Sequence, residues 1–380
     1  ARVWDADTGD ELHTLQGHEN SVPSLVFSPD GQQIATASVD GTARVWSADT
    51  GDKLHTFQGH EDWVKSVVFS PDGKQVATAS EDGTARVWSP ATREELLTLE
   101  EHKSLMYSVV FSPDGKRVAT TSGDETARVW STATGEELLI LTLQGNENSI
   151  SSISLVFSPD GQRVATASFK TARVWSTATG KVLLNLQGNE NSVWRVVFSP
   201  DGQRVATTSG DKTARVWDIA TGKVLHTLQG HEDWVDSVVF SPDGQRVATA
   251  SRDGTARVWS TATGEELHTL QGHRKSVSSV VFSPDGQRVA TASSDGTARV
   301  WSTATGEELQ TLEGHESLEG HEFEVWSVVF SPDGQRVATA SRDRTAEVWS
   351  VRVWSTATGD ELHTLQEHKS FVYSVVFSPD

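Results

Sequence analysis

The chain contains no cysteine and only one methionine among its 380 residues. Without cysteine it can form neither a disulfide framework nor a thiolate metal site. It also lacks any apolar run near the roughly 18 residues of a membrane-spanning helix, and no secretory leader opens it. These absences favour a protein of a reducing compartment, and we expect it in the cytoplasm, with no membrane partner.

Positive charge is scarce as well. Lys and Arg number 32 against 52 Asp and Glu, which gives a net charge of −20. Nucleic-acid binding requires a basic surface that neutralises phosphates, so we expect no nucleic-acid partner. An acidic surface favours basic partners instead. No metal-binding or nucleotide-binding motif with supporting context occurs, so neither a metal nor a cofactor is predicted.

What the chain has is a repeat. The tetrapeptide Phe-Ser-Pro-Asp recurs, most often at intervals of 41 or 42 residues, and a Val-Trp pair recurs with it. A fixed period in this range indicates a repeat architecture. The repeat phenylalanines are Phe27, Phe69, Phe111, Phe157, Phe198, Phe240, Phe282, Phe330 and Phe377.

Each copy reads as four short strands, here named a to d. In the copy that starts at Val235, the β-capable runs are VDSVVF, QRVATAS, TARVWS and EELHTLQ. Pro-Asp-Gly, Asp-Gly and Thr-Gly turns separate these runs and favour antiparallel hairpins. One four-stranded sheet buries too little surface alone, whereas sheets stacked around an axis bury both faces.

A Gly-His pair followed after about 25 residues by Val-Trp and a polar residue resembles the WD40 repeat. The usual final Asp is Ser in most copies and remains Asp only at Asp5 and Asp218. The resemblance implies an all-β propeller of four-stranded antiparallel blades over residues 1–380, a single domain. The near-identical copies resemble bacterial, especially cyanobacterial, arrays. Such arrays often follow an effector domain, so we expect this chain to be part of a larger protein.

The copies also predict the number of blades. Eight complete copies fill about residues 19–366, strands c and d of another lie at 1–18, and a strand a lies at 370–380. Combined, the two ends give a ninth blade that lacks strand b. We therefore expect a monomeric ring of nine blades, with eight as the alternative.

Most copies carry His, Ser, Asp and Trp at constant offsets. Ser, His and Asp could form a nucleophilic triad, but an active site is normally single and this set recurs. We therefore expect a protein that is not an enzyme. The resemblance implies a buried chain in which Trp donates to Ser, Ser meets His, and His meets Asp. Three such sets are His18, Ser38, Asp40 and Trp46; His60, Ser80, Asp82 and Trp88; and His231, Ser251, Asp253 and Trp259.

The copies differ mainly at two positions, six and four residues before the repeat phenylalanine. Every Trp outside the Val-Trp pairs and both Tyr fall there. The resemblance places these positions, with the turns between strands b and c, on the top face, where such propellers usually dock partners. The candidate binding residues are Trp63, Lys65, Tyr107, Trp194, Trp234, Asp236, Arg252, Phe323, Trp326, Arg342, Phe371 and Tyr373.

Two interpretations of these aromatic residues remain open. They could be exposed anchors for a partner, or they could fold between blades as extra core. The presence of Ser and Asp at the same positions in other copies favours binding. The predicted function is a non-enzymatic scaffold for proteins or peptides. The alternative is a propeller that binds a small ligand or glycan on its top-face tryptophans.

Overall fold

The computed structural model describes residues 1–143, 154–168, 171–313, 324–342, 349–368 and 375–379. Within these ranges the chain forms 34 β-strands and no helix, so no described helix could cross a membrane. The strands form eight four-stranded antiparallel sheets and one two-stranded sheet. The predicted all-β fold is confirmed, and nine sheets are consistent with nine blades.

The strands follow the chain order of the repeat. The two-stranded sheet, here called the ninth sheet, contains β1 (Arg2–Trp4) and β2 (Glu11–Thr14). Blades 1 to 4 contain β3 (Ser24–Phe27), β4 (Gln33–Ala37), β5 (Ala43–Ser47), β6 (Lys53–Phe57); β7 (Val64–Phe69), β8 (Val76–Ser80), β9 (Ala85–Trp88), β10 (Glu95–Leu99); β11 (Met106–Phe111), β12 (Arg117–Ser122), β13 (Thr126–Ser131), β14 (Glu137–Thr142); and β15 (Ser154–Phe157), β16 (Arg163–Ser168), β17 (Thr171–Ser176), β18 (Val182–Leu186). Blades 5 to 8 contain β19 (Val193–Phe198), β20 (Arg204–Ser209), β21 (Ala214–Asp218), β22 (Val224–Leu228); β23 (Val235–Phe240), β24 (Arg246–Ser251), β25 (Thr255–Ser260), β26 (Glu266–Gln271); β27 (Val277–Phe282), β28 (Arg288–Ser293), β29 (Ala298–Ser302), β30 (Glu308–Leu312); and β31 (Glu324–Phe330), β32 (Arg336–Arg342), β33 (Trp349–Ser355), β34 (Glu361–His368).

The Phe-Ser-Pro-Asp-Gly motif makes the hairpin between strands a and b. In blade 6 the Ser241 hydroxyl donates to the Asp243 carboxylate at 2.5 Å and accepts the backbone N–H of Arg246 at 2.9 Å. The Asp243 carboxylate also accepts the backbone N–H of Gln245 at 3.0 Å. Gly244 has a φ of +69°, which glycine adopts without strain. The motif therefore recurs because it satisfies the turn's own backbone donors.

Strand b alternates larger and smaller side chains because its two faces meet different blades. In blade 6, Val247 packs towards blade 5, and Ala248 and Ala250 pack towards Val289 and Trp301 of blade 7. All three strand-b residues are fully buried. The large residues of one blade fill the space above the alanines of the previous blade, which explains why the alternation is copied so faithfully.

The ninth sheet lies between blade 8 and blade 1. Asp7 accepts a hydrogen bond on its backbone carbonyl from His363 Nε2 at 3.0 Å, and its carboxylate lies 2.6 Å from the Arg336 guanidinium. Trp4 packs against the core of blade 8, and Leu15 packs with Trp46 of blade 1. These contacts join the first and last parts of the chain, as a ring requires.

The structure differs from the expected closing strand a at 370–380. Residues 375–379 form no strand, and residues 370–374 and 380 lie outside the described residues. In every complete blade, strand a pairs with strand b of its own sheet. Among the described residues the ninth sheet has no strand b with which residues 375–379 could pair.

Candidate functional site

In blades 1, 2, 3, 5, 6 and 7, the loop before strand a and the turn between strands b and c meet at the same end of the blade. The backbone N–H of Arg252 donates to the carbonyl of Trp234 at 2.9 Å, and Glu81 makes the same 2.9 Å bond to Trp63. The variable positions and these turns therefore share one rim of the ring. Side chains from both segments can meet a single partner there.

Two tryptophans from neighbouring blades form a pair on this rim. Trp194 of blade 5 and Trp234 of blade 6 have ring centroids 5.5 Å apart and planes tilted by 31°. The Arg252 guanidinium lies 4.4 Å from the Trp234 ring centroid. Its Nε donates to the Asp236 carboxylate at 2.9 Å. We call Trp194, Trp234, Asp236 and Arg252 the tryptophan-pair cluster.

The tryptophan-pair cluster is not explained by core packing alone. The Trp194 Nε1–H is buried and has no hydrogen-bond partner among the described residues, which costs about 1–3 kcal/mol. The contact between the two rings and the cation–π contact each stabilise the cluster by about 0.5–1.5 kcal/mol. Arg252 is exposed, so the cluster keeps a charged group at the surface. The contacts therefore hold two indole rings and an exposed cation together on the rim.

A second aromatic group lies on the rim in blade 2. Trp63 is 44% exposed, the most exposed aromatic residue among the described residues. The Lys65 ammonium lies 4.9 Å from its ring centroid and 2.8 Å from the Glu81 carboxylate. Trp63, Lys65 and Glu81 form the Trp63 cluster. Both clusters combine an indole with a cation that a carboxylate holds over it.

The structure describes three of the other predicted binding residues, Trp326, Tyr107 and Arg342. Trp326 is half-buried and packs against the apolar cluster of its own blade that contains Ala338 and Val353, as expected of extra core. Tyr107 is half-buried in β11, and Arg342 ends β32. Phe323, Phe371 and Tyr373 lie outside the described residues. The sequence placed all these residues on one rim, but it gave no sign that Trp194 and Trp234 touch.

The recurring polar set is buried, but its members are connected differently from the prediction. In blade 1, Trp46 Nε1 donates to the Thr36 hydroxyl at 2.9 Å, and that hydroxyl lies 2.8 Å from His18 Nε2. His18 Nδ1 lies 2.8 Å from the Asp40 carboxylate. The prediction that Ser38 joins Trp to His is therefore wrong: Thr36 does. The corresponding threonines are Thr78, Thr120, Thr249 and Thr291.

Strand register explains why threonine takes this role. Thr36 pairs with Arg44, two residues from Trp46, so the Thr36 hydroxyl is a diagonal neighbour of the indole on the same face. Ser38 lies one further step along that face, at the turn. Its hydroxyl donates to the Ser21 carbonyl at 3.0 Å and accepts the backbone N–H of Asp40 at 3.1 Å. The threonine recurs as regularly as the serine and lies on the same strand face, so the sequence offers both as candidates.

The hydrogen bonds of this polar set are all donated in the direction from the tryptophan to the aspartate. The indole N–H donates to the threonine oxygen, the threonine O–H donates to His Nε2, and His Nδ1–H donates to the carboxylate. Burial lowers the pKa of His18, against the opposing effect of Asp40. Burial also opposes ionisation of Asp40, but hydrogen bonds from Thr42 and His18 outweigh it and lower the pKa of Asp40 to about 2. At neutral pH the set is therefore a neutral imidazole on an ionised carboxylate.

This geometry offers no serine nucleophile. A triad needs a hydrogen bond between the hydroxyl and the imidazole, but in blade 6 the Ser251 hydroxyl donates to the Asp233 carbonyl at 3.0 Å. His231 Nε2 is instead 2.8 Å from the Thr249 hydroxyl. Among the described residues, no three His, Asp or Glu side chains are placed to share a metal ion. In blade 6 the serine is therefore bonded to the backbone at the turn and does not contact the imidazole.

Blade 5 has Asn189 where blades 1, 2, 3, 6 and 7 have His. Arg215 turns towards the gap and donates to Asn189 Oδ1 at 2.7 Å and to the Asp211 carboxylate at 2.8 Å. Asn189 Nδ2 is buried and has no partner among the described residues. Thr207 still accepts the Trp217 indole N–H at 3.0 Å. Blade 5 therefore keeps the hydrogen bond between the indole and the threonine but lacks the two bonds that the imidazole makes in blade 1.

Asn189→His should raise the free energy of unfolding by about 1–2 kcal/mol, because it removes an unpaired buried amide and restores bonds to Thr207 and Asp211. Blade 1 shows that the change fits, since His18 and Asp40 coexist there with Arg44 at 4.0 Å from the carboxylate. Urea unfolding of both proteins measures the difference. Glu190→His, at an exposed neighbouring position, is the control. Equal stability of the Asn189→His variant and the parent would contradict the expectation.

Comparisons with known proteins agree with this architecture. The family model described as "WD domain, G-beta repeat" matches residues 9–47, 51–89, 93–131, 138–176, 180–218, 222–260, 264–302, 306–350 and 359–380. Coronin-7 of Mus musculus is 52% identical over 40 residues, and ribosome assembly protein 4 of Saccharomyces cerevisiae is 56% identical over 36 residues. Each match covers 10% of this chain, but only 4% and 7% of those proteins. The crystal structure of the computationally designed Ika8 protein superposes with a TM-score of 0.68 at 31% identity, covering 91% of this chain and 100% of that one.

Proposed function

This chain belongs to the WD40 family of β-propellers, and from that premise we propose that it is an interaction scaffold which holds a protein or peptide segment on its top rim. WD40 propellers generally bind protein partners. The observation that carries the proposal is the tryptophan-pair cluster. Among the described residues it is the only pair of tryptophans in contact across two blades, so it gives one sector of a repetitive ring a chemistry of its own.

The rim supplies the features of an interface anchor. Tryptophan and arginine dominate the binding energy of protein interfaces when they lie at the centre of a contact. Trp63 and Arg252 are exposed, and Trp234 is half-buried beside its guanidinium. A partner that covers these groups would remove apolar surface from water without ordering new side chains, because the cation contacts already fix the rings.

Charge indicates which partner fits. The residues that flank the tryptophan-pair cluster include the exposed acidic residues Glu190, Glu232 and Asp233, on a chain of net charge −20. Complementary charge steers association and selects partners. We therefore propose a segment with an apolar or aromatic side chain for the tryptophans and lysine or arginine beside it.

This geometry is less suited to binding a glycan than to binding a peptide. Sugar rings need an open aromatic face, but Arg252 and Trp194 already lie against the Trp234 ring. The Lys65 ammonium likewise lies over Trp63. Binding to a glycan array that persists in the absence of protein partners would favour the glycan alternative over our proposal.

Replacing Trp63 and Trp234 together by alanine should remove the partner from the ring. Loss of one anchor of the hot-spot class costs about 2 kcal/mol or more, or roughly a 30-fold weaker affinity. Partners captured by the parent ring are identified by mass spectrometry, and their affinities for both proteins are measured by calorimetry.

The control is a second double variant, Leu225→Ala with Leu267→Ala. These leucines are each 42% exposed on the outer strands of blades 5 and 6, so their removal also deletes exposed apolar surface but leaves the rim intact. We expect this variant to keep every partner. Unchanged affinities in the tryptophan variant, with an unchanged melting temperature, would overturn the proposal.

A further inference from the structure

Charge is distributed unevenly around the ring. Residues 154–228, which contain blades 4 and 5, carry nine Lys and Arg against five Asp and Glu, a net charge of +4. Because the whole chain has a net charge of −20, the remaining residues have a net charge of −24. One sector of the ring is therefore basic, and the rest is strongly acidic.

The basic sector exposes two lysines at the outer edge of its blades. Strands a of neighbouring blades contact each other, and strand d lies at the opposite edge of each sheet. The segments Lys181–Leu183 and Lys223–Leu225, both Lys-Val-Leu, lead into strand d of blades 4 and 5. Their six side chains are exposed, and neither ammonium group has an ion pair among the described residues. We call these six residues the lysine face.

Exposed aliphatic surface accompanies the two lysines. Val182, Leu183, Val224 and Leu225 are 39%, 48%, 40% and 42% exposed. Leucine occupies the third position of the segment in the other copies as well, but valine at the second position occurs only in these two copies. The lysine face therefore adds apolar side chains to a basic surface, a combination that fits a partner with carboxylates beside apolar residues.

The next two blades carry the complementary residues at the same positions. Glu-Glu-Leu leads into strand d there, at Glu265–Leu267 in blade 6 and Glu307–Leu309 in blade 7. These six residues are exposed, and we call them the glutamate face. In each segment an arginine of strand c holds the second glutamate, whereas the first has no ion pair among the described residues. The glutamate face therefore has a net negative charge.

We infer that the lysine face is a self-association site, which binds the glutamate face of a second copy of this chain. Both faces span two neighbouring blades, and in both the two segments lie 42 residues, one repeat, apart. The lysines of one copy can therefore meet Glu265 and Glu307 of the other at matching spacing. Contact between the faces pairs opposite charges and removes the valines and leucines from water.

The uneven charge also selects the orientation of the two copies. Two lysine faces repel each other, as do two acidic sectors, so the attractive contact joins unlike faces. At about 0.15 M salt the Debye length is about 8 Å, so repulsion between distant blades is screened while facing residues still interact. Because each copy keeps one face free after a contact, the association extends beyond two copies.

The lysine face lies far along the blade from the rim. In blade 5, Val224 at the start of strand d pairs with Trp217 at the end of strand c, whereas Leu228 pairs with Ala214, next to the turn between strands b and c. Strand d therefore begins at the end of the blade opposite the rim. The self-association site does not depend on the tryptophan clusters or on the proposed function.

Charge reversal tests the contact. Lys181→Glu with Lys223→Glu gives a lysine-face variant, and Glu265→Lys with Glu307→Lys gives a glutamate-face variant. Sedimentation equilibrium of the full chain at about 0.15 M salt should show reversible association of the parent. Each variant should associate about tenfold more weakly or less, because like charges then face each other.

An equimolar mixture of the two variants should associate as tightly as the parent, because each variant supplies the face that the other lacks. This rescue also shows that both variants are folded. Lys74→Glu with Lys116→Glu, at exposed lysines of blades 2 and 3, is the control for net charge and should associate like the parent. A parent that stays monomeric at its solubility limit, a lysine-face variant that associates as tightly as the parent or as this control, or a mixture without rescue would overturn the inference.

Discussion

Thr120→Val should lower the free energy of unfolding by about 2–4 kcal/mol, although the two side chains have nearly the same shape. The Thr120 hydroxyl accepts the Trp130 indole N–H at 2.9 Å and lies 2.8 Å from His102 Nε2. Valine would leave both ring nitrogens buried and unpaired. His102 is itself held to Asp124 at 3.0 Å, so the imidazole cannot turn to find another partner, and the indole of Trp130 is buried and out of reach of water.

The adjacent residue provides a matched control. Thr121 lies on the same strand and is 1% exposed, but its hydroxyl has no hydrogen-bond partner among the described residues. Thr121→Val removes an unpaired polar atom at constant volume, so we expect the free energy of unfolding to stay equal or to rise by about 1 kcal/mol. Chemical denaturation of both variants gives the comparison.

Thr120→Ser separates the hydroxyl from the methyl group. Serine keeps the bonds to Trp130 and His102 and loses one buried methyl, for which we expect a cost of about 1 kcal/mol. If Thr120→Val and Thr121→Val destabilise the ring equally, the loss comes from packing of valine in strand b, and the polar chain contributes nothing.

The repeat was sufficient to predict most of the fold, because its sequence features all indicate the same structure. The turn residues, the alternation along strand b and the period of the copies all specify the same four-stranded unit, as minimally frustrated sequences do. The prediction that serine accepts the indole N–H was wrong, because threonine does so. Both residues recur at constant offsets, and spacing alone does not tell which of two residues on one strand face lies diagonal to the tryptophan.

Contacts between side chains of different copies were harder to predict from the sequence. Trp194 and Trp234 occupy different offsets within their copies, and only the placement of neighbouring blades brings their rings to 5.5 Å. Trp326 has the same offset as Trp194 but packs as core in blade 8.

Acid should unfold the ring through the same buried sets. The pKa of Asp40 is lowered to about 2 in the folded chain, from an ordinary value near 3.8. Between these values the unfolded state binds a proton that the folded state does not, so stability falls as pH falls from about 4 to 2. The corresponding carboxylates have lowered pKa values too: Asp82, Asp124, Asp253 and Asp295. Burial also lowers the pKa of His18 and His102 below 6.5, so a smaller loss begins in that earlier range.

Asp40→Asn isolates one carboxylate from this total. The free-energy difference between parent and variant should be about 1–2 kcal/mol and constant above pH 4, and it should shrink as pH approaches 2, because the parent then loses the same charge. Denaturation at a series of pH values measures it. Glu19→Gln removes an equal charge from an exposed residue beside the set, and its difference from the parent should stay near zero throughout. A difference for Asp40→Asn that does not change with pH would mean that the bonds to Thr42 and His18 stabilise the blade by shape alone, whatever the charge on the carboxylate.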